Sequence, residues 1–253
     1  MKVYGTESNF YVHYPETRRG QVVLKAILFD IDNTLLSFDE SVKQFMKIGF
    51  KKFHIGEYKD DMFSVFTRIN NSLWQSIEKG ELSFEELQEI RWNKILESIG
   101  LSFDGVLFEK YFREFLFESA IAEDGAVKAL EYLNKKYLLF VASNGPYRQQ
   151  VNRLRRSGML PFFSNLFISE EIGSSKPSSN FFDECMKRIN AGKKTRIWPN
   201  EVMIIGDSLS SDITGGMRYG MQTCFYNPTN KCVPDSVTVN YQIGALNELK
   251  SIL

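Results

Sequence analysis

Residues 26–34 of the amino-acid sequence read AILFDIDNT, an apolar run followed by two aspartates that are one residue apart. The run at 26–29 predicts a buried β-strand, so Asp30 and Asp32 come where this strand ends and a loop begins. In an open α/β sheet, ligands bind outside the carboxyl ends of the strands. Two carboxylates there repel each other unless a cation, a shared proton or backbone N–H groups compensate. Taken alone, the stretch also fits a strand end followed by an Asx turn.

Three later apolar runs are also followed by polar side chains that are suited to chemistry. Ser143 follows the first run, Lys176 comes after the loop that follows the second, and Asp207 and Asp212 follow the third. An acidic pair, a small hydroxyl, a lysine and a second acidic pair in this order are hard to obtain by chance. The combination therefore favours a functional site over a simple turn.

These residues form four motifs, which are DIDNT at 30–34, SNG at 143–145, KP at 176–177 and GDSLSSD at 206–212. With this ordered set, the chain resembles the phosphatase branch of the haloacid dehalogenase-like hydrolase superfamily over about residues 24–253. Within that superfamily, the stretches SNG at 143–145, SEEIGSSKP at 169–177 and YNP at 226–228 are most similar to the noncanonical pyrimidine 5′-nucleotidases.

Alternating apolar runs and helical patterns predict an α/β fold with a doubly wound, Rossmann-like parallel sheet. Residues 23–38 and 119–253 are assigned to this core, and residues 1–22 to an N-terminal extension without a function. Strands are expected near 138–142, 165–168, 202–206, 223–226 and 237–239. Helices are expected near 125–135, 146–157, 178–190, 211–219 and 243–253.

Helical periodicity replaces this alternation between residues 39 and 118. We expect an inserted α-helical domain here, and the resemblance implies that it is a cap over the active site. Asp39 is a candidate N-cap, residues 83–86 resemble a capping box, and Gly80 and Gly100 are expected to follow helix ends.

The cap contains aromatic and basic side chains that could recognise a substrate. An aromatic ring could stack on a nucleobase. Helical spacing, however, favours ordinary core packing for most of these aromatic residues. The cap residues considered for recognition are Trp74, Trp92, Arg68 and Arg91.

Phosphoryl transfer needs an oxygen nucleophile and neutralisation of charge on the transferring group. Asp30 is the candidate nucleophile, because a carboxylate can attack phosphorus to form an aspartyl-phosphate. Asp32 is the candidate acid and base for the leaving oxygen and the attacking water. Lys176 is expected to place its ammonium group between Asp30 and the phosphate.

The resemblance also implies a Mg²⁺ cofactor. Asp30, Asp207 and the backbone carbonyl of Asp32 are the expected ligands, and such an oxygen donor set suits Mg²⁺. Asp212 is expected behind the metal or bound to it through water, although an N-cap role for Asp212 fits equally well. Thr34 is expected to support the first loop through a local hydrogen bond.

The SNG motif is the candidate phosphate-binding loop. The hydroxyl of Ser143 and the backbone N–H groups of Asn144 and Gly145 are expected to bind phosphate oxygens, as in other anion nests. Lys176 is the fourth predicted phosphate ligand. By itself, the motif would indicate only a turn.

The composition excludes several other classes of protein. Only two histidines are present, His13 and His54, which argues against a histidine-ligated zinc site and against Ser-His-Asp catalysis. The three cysteines, Cys185, Cys224 and Cys232, are too scattered for a disulfide framework. We therefore expect a cytoplasmic protein in a reducing compartment, with no membrane association.

Lys plus Arg and Asp plus Glu are both 31, so the formal net charge is zero and a small phosphorylated metabolite is favoured over a nucleic acid polymer. The leading hypothesis is a Mg²⁺-dependent phosphomonoesterase for pyrimidine nucleoside monophosphates. The alternatives are a sugar-phosphate phosphatase or phosphomutase with the same core, and a regulatory module without catalysis. The oligomeric state is left open.

Overall fold

A six-stranded parallel sheet forms the centre of the computed structural model, which describes residues 23–253. The predicted extension at 1–22 lies outside the described residues. The strand order is β3-β2-β1-β4-β5-β6, and every neighbouring pair is parallel. The strands are β1 (Ala26–Phe29), β2 (Leu138–Ser143), β3 (Asn165–Ile168), β4 (Val202–Gly206), β5 (Gln222–Tyr226) and β6 (Tyr241–Ile243).

Helices precede, separate and follow the later strands, as the α/β prediction requires. None of those within residues 23–253 has the length and apolar character needed to cross a membrane. They are α1 (Phe38–Phe53), α2 (Asp60–Glu78), α3 (Phe84–Ser98), α4 (Gly105–Glu118), α5 (Ala126–Leu133), α6 (Tyr147–Arg156), α7 (Ser169–Ile172), α8 (Ser179–Asn190), α9 (Gly215–Tyr219) and α10 (Leu249–Ile252).

The sheet is covered on both faces, which explains why its central strand is apolar throughout. On β1, Ile27 and Phe29 pack into the core beneath α5, α6 and α10, whereas Ala26 and Leu28 pack into the core beneath α8. Successive side chains of a strand point to opposite faces, so a strand covered on both sides must be continuously apolar. The doubly wound α/β prediction is confirmed.

The four helices α1–α4 lie between β1 and α5 and have an apolar core of their own. Fully buried rings at its centre include Phe45, Trp92, Phe108 and Phe112. The arrangement agrees with an inserted helical cap. The exact division at residues 39 and 118 stays a prediction.

Most of the predicted helix ends in the cap are confirmed. Ser83 and Glu86 form a reciprocal capping box at the start of α3. Gly80 and Gly100 follow the ends of α2 and α3, both with φ of +73°. The Asp39 prediction is wrong, because α1 begins at Phe38 and the carboxylate of Asp39 instead accepts a hydrogen bond from the side chain of Asn33.

Two segments connect the cap to the sheet and pair with each other. The N–H of Ser37 donates to the carbonyl of Ile121 at 2.8 Å. The hydroxyls of Ser41 and Ser119 lie 2.7 Å apart and share a hydrogen bond. This pairing places the first and last residues of the cap side by side above the end of β1.

The last part of the sheet differs from the prediction. Residues 237–239 are not a strand; the edge strand is β6, in register with β5 through the pair Cys224 and Tyr241. The β-branched run at 237–239 has high strand propensity, but the packing and burial of side chains outweigh propensity in deciding which residues pair in a sheet. Tyr241 and Ile243 pack on the core beneath α5, so these residues pair instead.

Two predicted helices also have different bounds. In place of one helix at 243–253, a short 3₁₀ turn at Leu246–Glu248 precedes α10, because β6 extends to Ile243. In place of one helix at 211–219, a π-helical turn at Leu209–Thr214 leads into α9. The other 3₁₀ turns are Leu160–Phe162 and Pro199–Glu201.

Candidate active site

The predicted site residues meet at the carboxyl ends of three neighbouring strands. Because β1 lies between β2 and β4, Asp30, Ser143 and Asp207 come together there. A cavity of about 190 Å³ opens above them, between the sheet and helix α2 of the cap. Besides these three residues, its lining includes Asp32, Asn144, Gly145, Lys176, Asp212, Asn70, Asn71, Trp74 and Glu78.

Lys176 is the centre of this site, and its side chain is only 1% exposed. Its ammonium Nζ donates to Asp30 Oδ1 at 2.7 Å, to Asp212 Oδ1 at 2.6 Å and to the carbonyl of Ala142 at 2.6 Å. An ammonium group has three donors, so all three have acceptors within the protein. The ammonium therefore lies between Asp30 and Asp212. Its predicted contact with phosphate stays a prediction.

Three carboxylates meet beside this lysine. One oxygen from each of Asp30, Asp207 and Asp212 lies within 4.8 Å of the other two. Burial raises the pKa of Asp30 to about 7 despite the opposing charge of Lys176, with Asp212 and Asp32 adding to the rise. Burial, and then the neighbouring Asp30, also raise the pKa of Asp207 well above its usual range.

This cluster fits a Mg²⁺ ion. Its donors are all carboxylate oxygens, and Mg²⁺ binds through a few such oxygens while it keeps several waters. A bound cation would also favour the ionised forms that burial and mutual repulsion disfavour. Asp212 is less free than the other two carboxylates, because Oδ1 accepts from Lys176 and Oδ2 accepts from the backbone N–H of Ser208.

Two residues that the sequence analysis did not identify hold the side chain of Asp32. Gln150 Nε2 donates to Asp32 Oδ2 at 2.6 Å, and Arg153 Nη1 donates to Asp32 Oδ1. Arg153 also donates from Nε to the carbonyl of Ser119, the residue directly after the cap helix α4. Both oxygens of Asp32 are thus bound, and the same arginine contacts the segment that joins cap and sheet.

Gln150 and Arg153 lie on α6, whose sequence YRQQVNRLRR suggests an exposed basic helix. Both residues are nevertheless fully buried. Their spacing could have indicated that they face the site together, because positions three apart share a helix face and α6 begins just after the predicted phosphate-binding loop. This pattern is hard to recognise in the sequence, because the neighbouring arginines, Arg155 and Arg156, are exposed.

We expect Arg153→Met to lower kcat by about 10- to 100-fold, because Arg153 holds Asp32, the candidate acid and base, and a small misplacement of such a group costs that much. KM should change little, because the substrate itself loses no contact. Steady-state kinetics on p-nitrophenyl phosphate would measure both constants. Arg155→Met, on the exposed face of the same helix, is the matched control. An unchanged kcat would contradict a positioning role.

The SNG motif forms the predicted loop after β2, but its groups are used partly within the protein. Ser143 Oγ accepts from the N–H of Gly145 at 3.1 Å and from Gln150 Nε2 at 3.0 Å, which leaves its hydroxyl hydrogen free to donate. The side chain of Asn144 exchanges two hydrogen bonds with the backbone of Lys176, each 2.9 Å long. Asn144 therefore joins two of the site's loops.

Two glycines allow this close packing. A Cβ atom at Gly145 would lie 2.3 Å from Gln150 Nε2, and one at Gly206 would lie 2.1 Å from Asp212 Oδ2. Both approaches are far below a normal contact. The glycines of the second and fourth motifs are therefore required by the side chains that pack over their backbone.

The two residues that were predicted to support the site have different environments. Asp212 is buried within the π-helical turn and accepts from Lys176, while Ser208 occupies the cap position of that turn. The N-cap alternative for Asp212 is therefore wrong. Thr34, the last residue of the first motif, is fully buried, but its hydroxyl has no hydrogen-bond partner among residues 23–253, so the predicted local bond is absent.

Only one of the cap residues considered for recognition lines the cavity. Trp74 is half-buried there, whereas Trp92 is fully buried in the cap core and Arg68 is exposed outside the lining. Arg91 is buried and pairs with Glu109. Three residues that were not predicted from the sequence line the cavity from the same helix as Trp74, namely Asn70, Asn71 and Glu78.

Comparisons with known proteins agree with this geometry. A sequence profile of the haloacid dehalogenase-like hydrolases matches residues 24–220. The chain is 34% identical to the HAD-hydrolase YfnB of Bacillus subtilis, over 90% of this chain and 95% of YfnB. It is 31% identical to the pyrimidine 5′-nucleotidase PynA of Streptococcus pneumoniae, over 90% of this chain and 94% of PynA.

A solved structure shows the same relationship. The crystal structure of YfnB, which is described as bound to magnesium, superposes with a TM-score of 0.82 at 33% identity and covers 91% of this chain and 99% of YfnB. Fold, site and relatives together define a hydrolase of the phosphoric monoester class. The chain belongs to the haloacid dehalogenase-like hydrolase family, and its predicted similarity to pyrimidine 5′-nucleotidases is confirmed.

Proposed function

We propose that this protein is a Mg²⁺-dependent phosphomonoesterase that hydrolyses pyrimidine nucleoside 5′-monophosphates through an aspartyl-phosphate on Asp30. The observation that carries the proposal is the buried contact between the Lys176 ammonium and one oxygen of Asp30, beside Ser143 and the carboxylate cluster. The names of the relatives PynA and YjjG, both pyrimidine 5′-nucleotidases, support the substrate class.

In the first half of the proposed reaction, Asp30 attacks the phosphorus atom. Lys176 binds Oδ1 of Asp30, and Oδ2 is the oxygen that forms the new bond to phosphorus. As that bond forms, the bond between phosphorus and the ester oxygen breaks, and Asp32 protonates the departing alcohol. The hydroxyl hydrogen of Ser143 is available to donate to a phosphate oxygen.

In the second half, water attacks the phosphorus of the aspartyl-phosphate, and Asp32 accepts its proton. The bond between phosphorus and Asp30 breaks, which regenerates the carboxylate. Gln150 and Arg153 each use one acceptor site on a different oxygen of Asp32, so either oxygen can still contact the leaving group or the water. The role of the two residues is to hold Asp32 in one orientation.

Mg²⁺ would be held by Asp30, Asp207 and the backbone carbonyl of Asp32, with Asp212 close behind. When bound, it supplies positive charge beside the transferring phosphoryl group. The mutual repulsion of the three buried carboxylates makes binding of a cation favourable, because the single charge of Lys176 balances only part of theirs.

We expect EDTA to abolish phosphate release and added Mg²⁺ to restore it, with a loss of at least about 100-fold. Mg²⁺ without substrate should also raise the melting temperature, because a ligand of the folded state alone stabilises it. Asp207→Asn should remove this thermal shift. Activity that survives exhaustive chelation would contradict the proposed metal dependence.

A dephosphorylation screen tests the substrate class. Purified protein with Mg²⁺ would be offered UMP, dTMP, CMP, purine monophosphates, sugar phosphates and phosphoglycolate. Strongest release from the pyrimidine monophosphates supports the proposal, while a preferred sugar phosphate would replace the substrate and keep the chemistry. Isomerised phosphate esters would indicate a phosphomutase. No turnover by folded protein with Mg²⁺ would favour a regulatory module.

A further inference from the structure

Asn70 faces the active-site cavity from helix α2 of the cap. Its side chain lines the cavity together with Ser143 and Lys176, yet the residue is only 6% exposed. A polar amide at this depth must satisfy both of its ends or leave one for a ligand. The contacts of Asn70 show which end is left.

The carbonyl end of the amide is bound to a buried arginine. Arg91 Nη1 donates to Asn70 Oδ1 at 3.1 Å. A guanidinium group has only donors, so the atom that faces Arg91 must be the oxygen of the amide. The Nδ2 group of Asn70 is therefore the free end, and among residues 23–253 no atom accepts a hydrogen bond from it.

Arg91 is itself held in place by Glu109. Arg91 Nε donates to Glu109 Oε2 at 3.0 Å, and Nη2 donates to Glu109 Oε1 at 2.6 Å. The two side chains are only 4% and 3% exposed. A buried pair of this kind often contributes no more stability than apolar residues of the same size. In this structure the pair orients the guanidinium group, so that the remaining donor, Nη1 of Arg91, points toward Asn70.

Trp74 stands one helical turn after Asn70 and lines the same cavity. Residues four apart lie on one face of a helix, so the ring and the amide are presented to the cavity together. A neighbouring cavity of about 430 Å³ shares Trp74, Asn144 and Gly145 with the first cavity. It offers space for a base next to the place where the phosphate group is proposed to bind. An aromatic face next to one oriented donor suits a planar heterocycle with a carbonyl oxygen.

We propose that Asn70 is a specificity residue whose Nδ2 group donates to the O2 oxygen of a pyrimidine base, with Arg91 and Glu109 as its positioning residues. The proposal rests on the pyrimidine nucleotidase function. O2 is the acceptor that uracil, thymine and cytosine share, whereas the atom at position 4 is a carbonyl in two of them and an amino group in cytosine. One donor that serves all three bases therefore selects O2.

Asn70→Asp is the sharpest variant, because it keeps the shape and the oxygen that faces Arg91 but replaces the donor by an acceptor. We expect kcat/KM for UMP, dTMP and CMP to fall by about 10- to 100-fold and by similar factors, since a polar group without its partner is strongly rejected. Because the added charge acts on every phosphate ester, the readout is the ratio of kcat/KM for each nucleotide to that for ribose 5-phosphate, which has no base, and this ratio should fall by about 10-fold or more.

Two further variants separate the alternatives. Asn71→Asp adds the same charge to the same cavity from an exposed neighbour, so it should leave the ratio of UMP to ribose 5-phosphate unchanged. The double variant Arg91→Met, Glu109→Leu should lower that ratio severalfold with an intact melting temperature, because the amide is no longer oriented.

Wild-type protein that shows no preference for pyrimidine monophosphates would overturn the proposed function and this proposal with it. A clear preference that survives Asn70→Asp would overturn the Asn70 assignment alone. A loss confined to UMP and dTMP would overturn the assignment of O2, because it would indicate contact with the O4 oxygen that cytosine lacks.

Discussion

Asp30→Asn is expected to lower phosphate release by roughly 10⁴-fold or more, because the proposed covalent step depends on this one nucleophile. An amide oxygen is a far weaker nucleophile than a carboxylate. Asp212, the other carboxylate bound to Lys176, is no substitute, because its second oxygen accepts from the N–H of Ser208. Initial rates on UMP and on p-nitrophenyl phosphate would measure the loss, which should appear in kcat for both substrates.

The fold of this variant should be intact. Burial already raises the pKa of Asp30 to about 7, so the neutral amide replaces a carboxyl group whose charge the folded protein disfavours. Circular dichroism and the melting temperature would check this, and Asp61→Asn, on the exposed start of α2, is the matched control. Turnover near the wild-type rate by folded protein would rule out Asp30 as the nucleophile.

Lys176→Met is expected to abolish turnover and also to destabilise the protein. The variant leaves Asp30 and Asp212 buried without their cation, and breaking a buried pair in this way costs about 3–5 kcal/mol of the free energy of unfolding. Urea unfolding in EDTA would measure this cost. Lys187→Met is the control, because Lys187 is 76% exposed and its pairing with Glu184 should contribute at most about 1 kcal/mol.

The destabilisation should depend on pH in a defined direction. The pKa of Asp30 is raised from 3.8 to about 7, so between these values the folded protein keeps a proton that the unfolded chain has lost, and stability falls as pH rises. Lys176 lowers this pKa, so its removal extends the fall above pH 7. The difference between variant and wild type should therefore stay nearly constant between about pH 4 and pH 7 and widen above about pH 7. A difference that does not grow above pH 7 would contradict the buried pairing.

The four motifs could be predicted from the sequence because each depends on local order. An apolar run predicts a strand, and the polar residue directly after it must lie at the strand end. Asp30, Ser143 and Asp207 are brought together for this reason alone, once the strands are parallel and adjacent. Lys176 could not be placed in this way, since its long side chain reaches the ends of β1 and β2 from a separate loop.

Other parts of the fold and the site could not be predicted locally. The run at 237–239 has the composition of a strand, but Tyr241 and Ile243 have the core contacts that form the edge of the sheet. Arg153 belongs to a helix whose other arginines are exposed, and its spacing from Gln150 is the one local feature that distinguishes it. Burial, which is a property of the whole molecule, decides both cases.

The sequence by itself determined the fold class, the order of the motifs and the candidate residues for phosphoryl transfer. Only the tertiary structure decided which oxygens of those residues are occupied and what the cap presents to the cavity. Asp32 is held by Arg153 from 121 positions away, and Asn70 is oriented by Arg91 from 21 positions away. Such hydrogen bonds depend on how separate helices pack against each other, and no local pattern of residues contains that information.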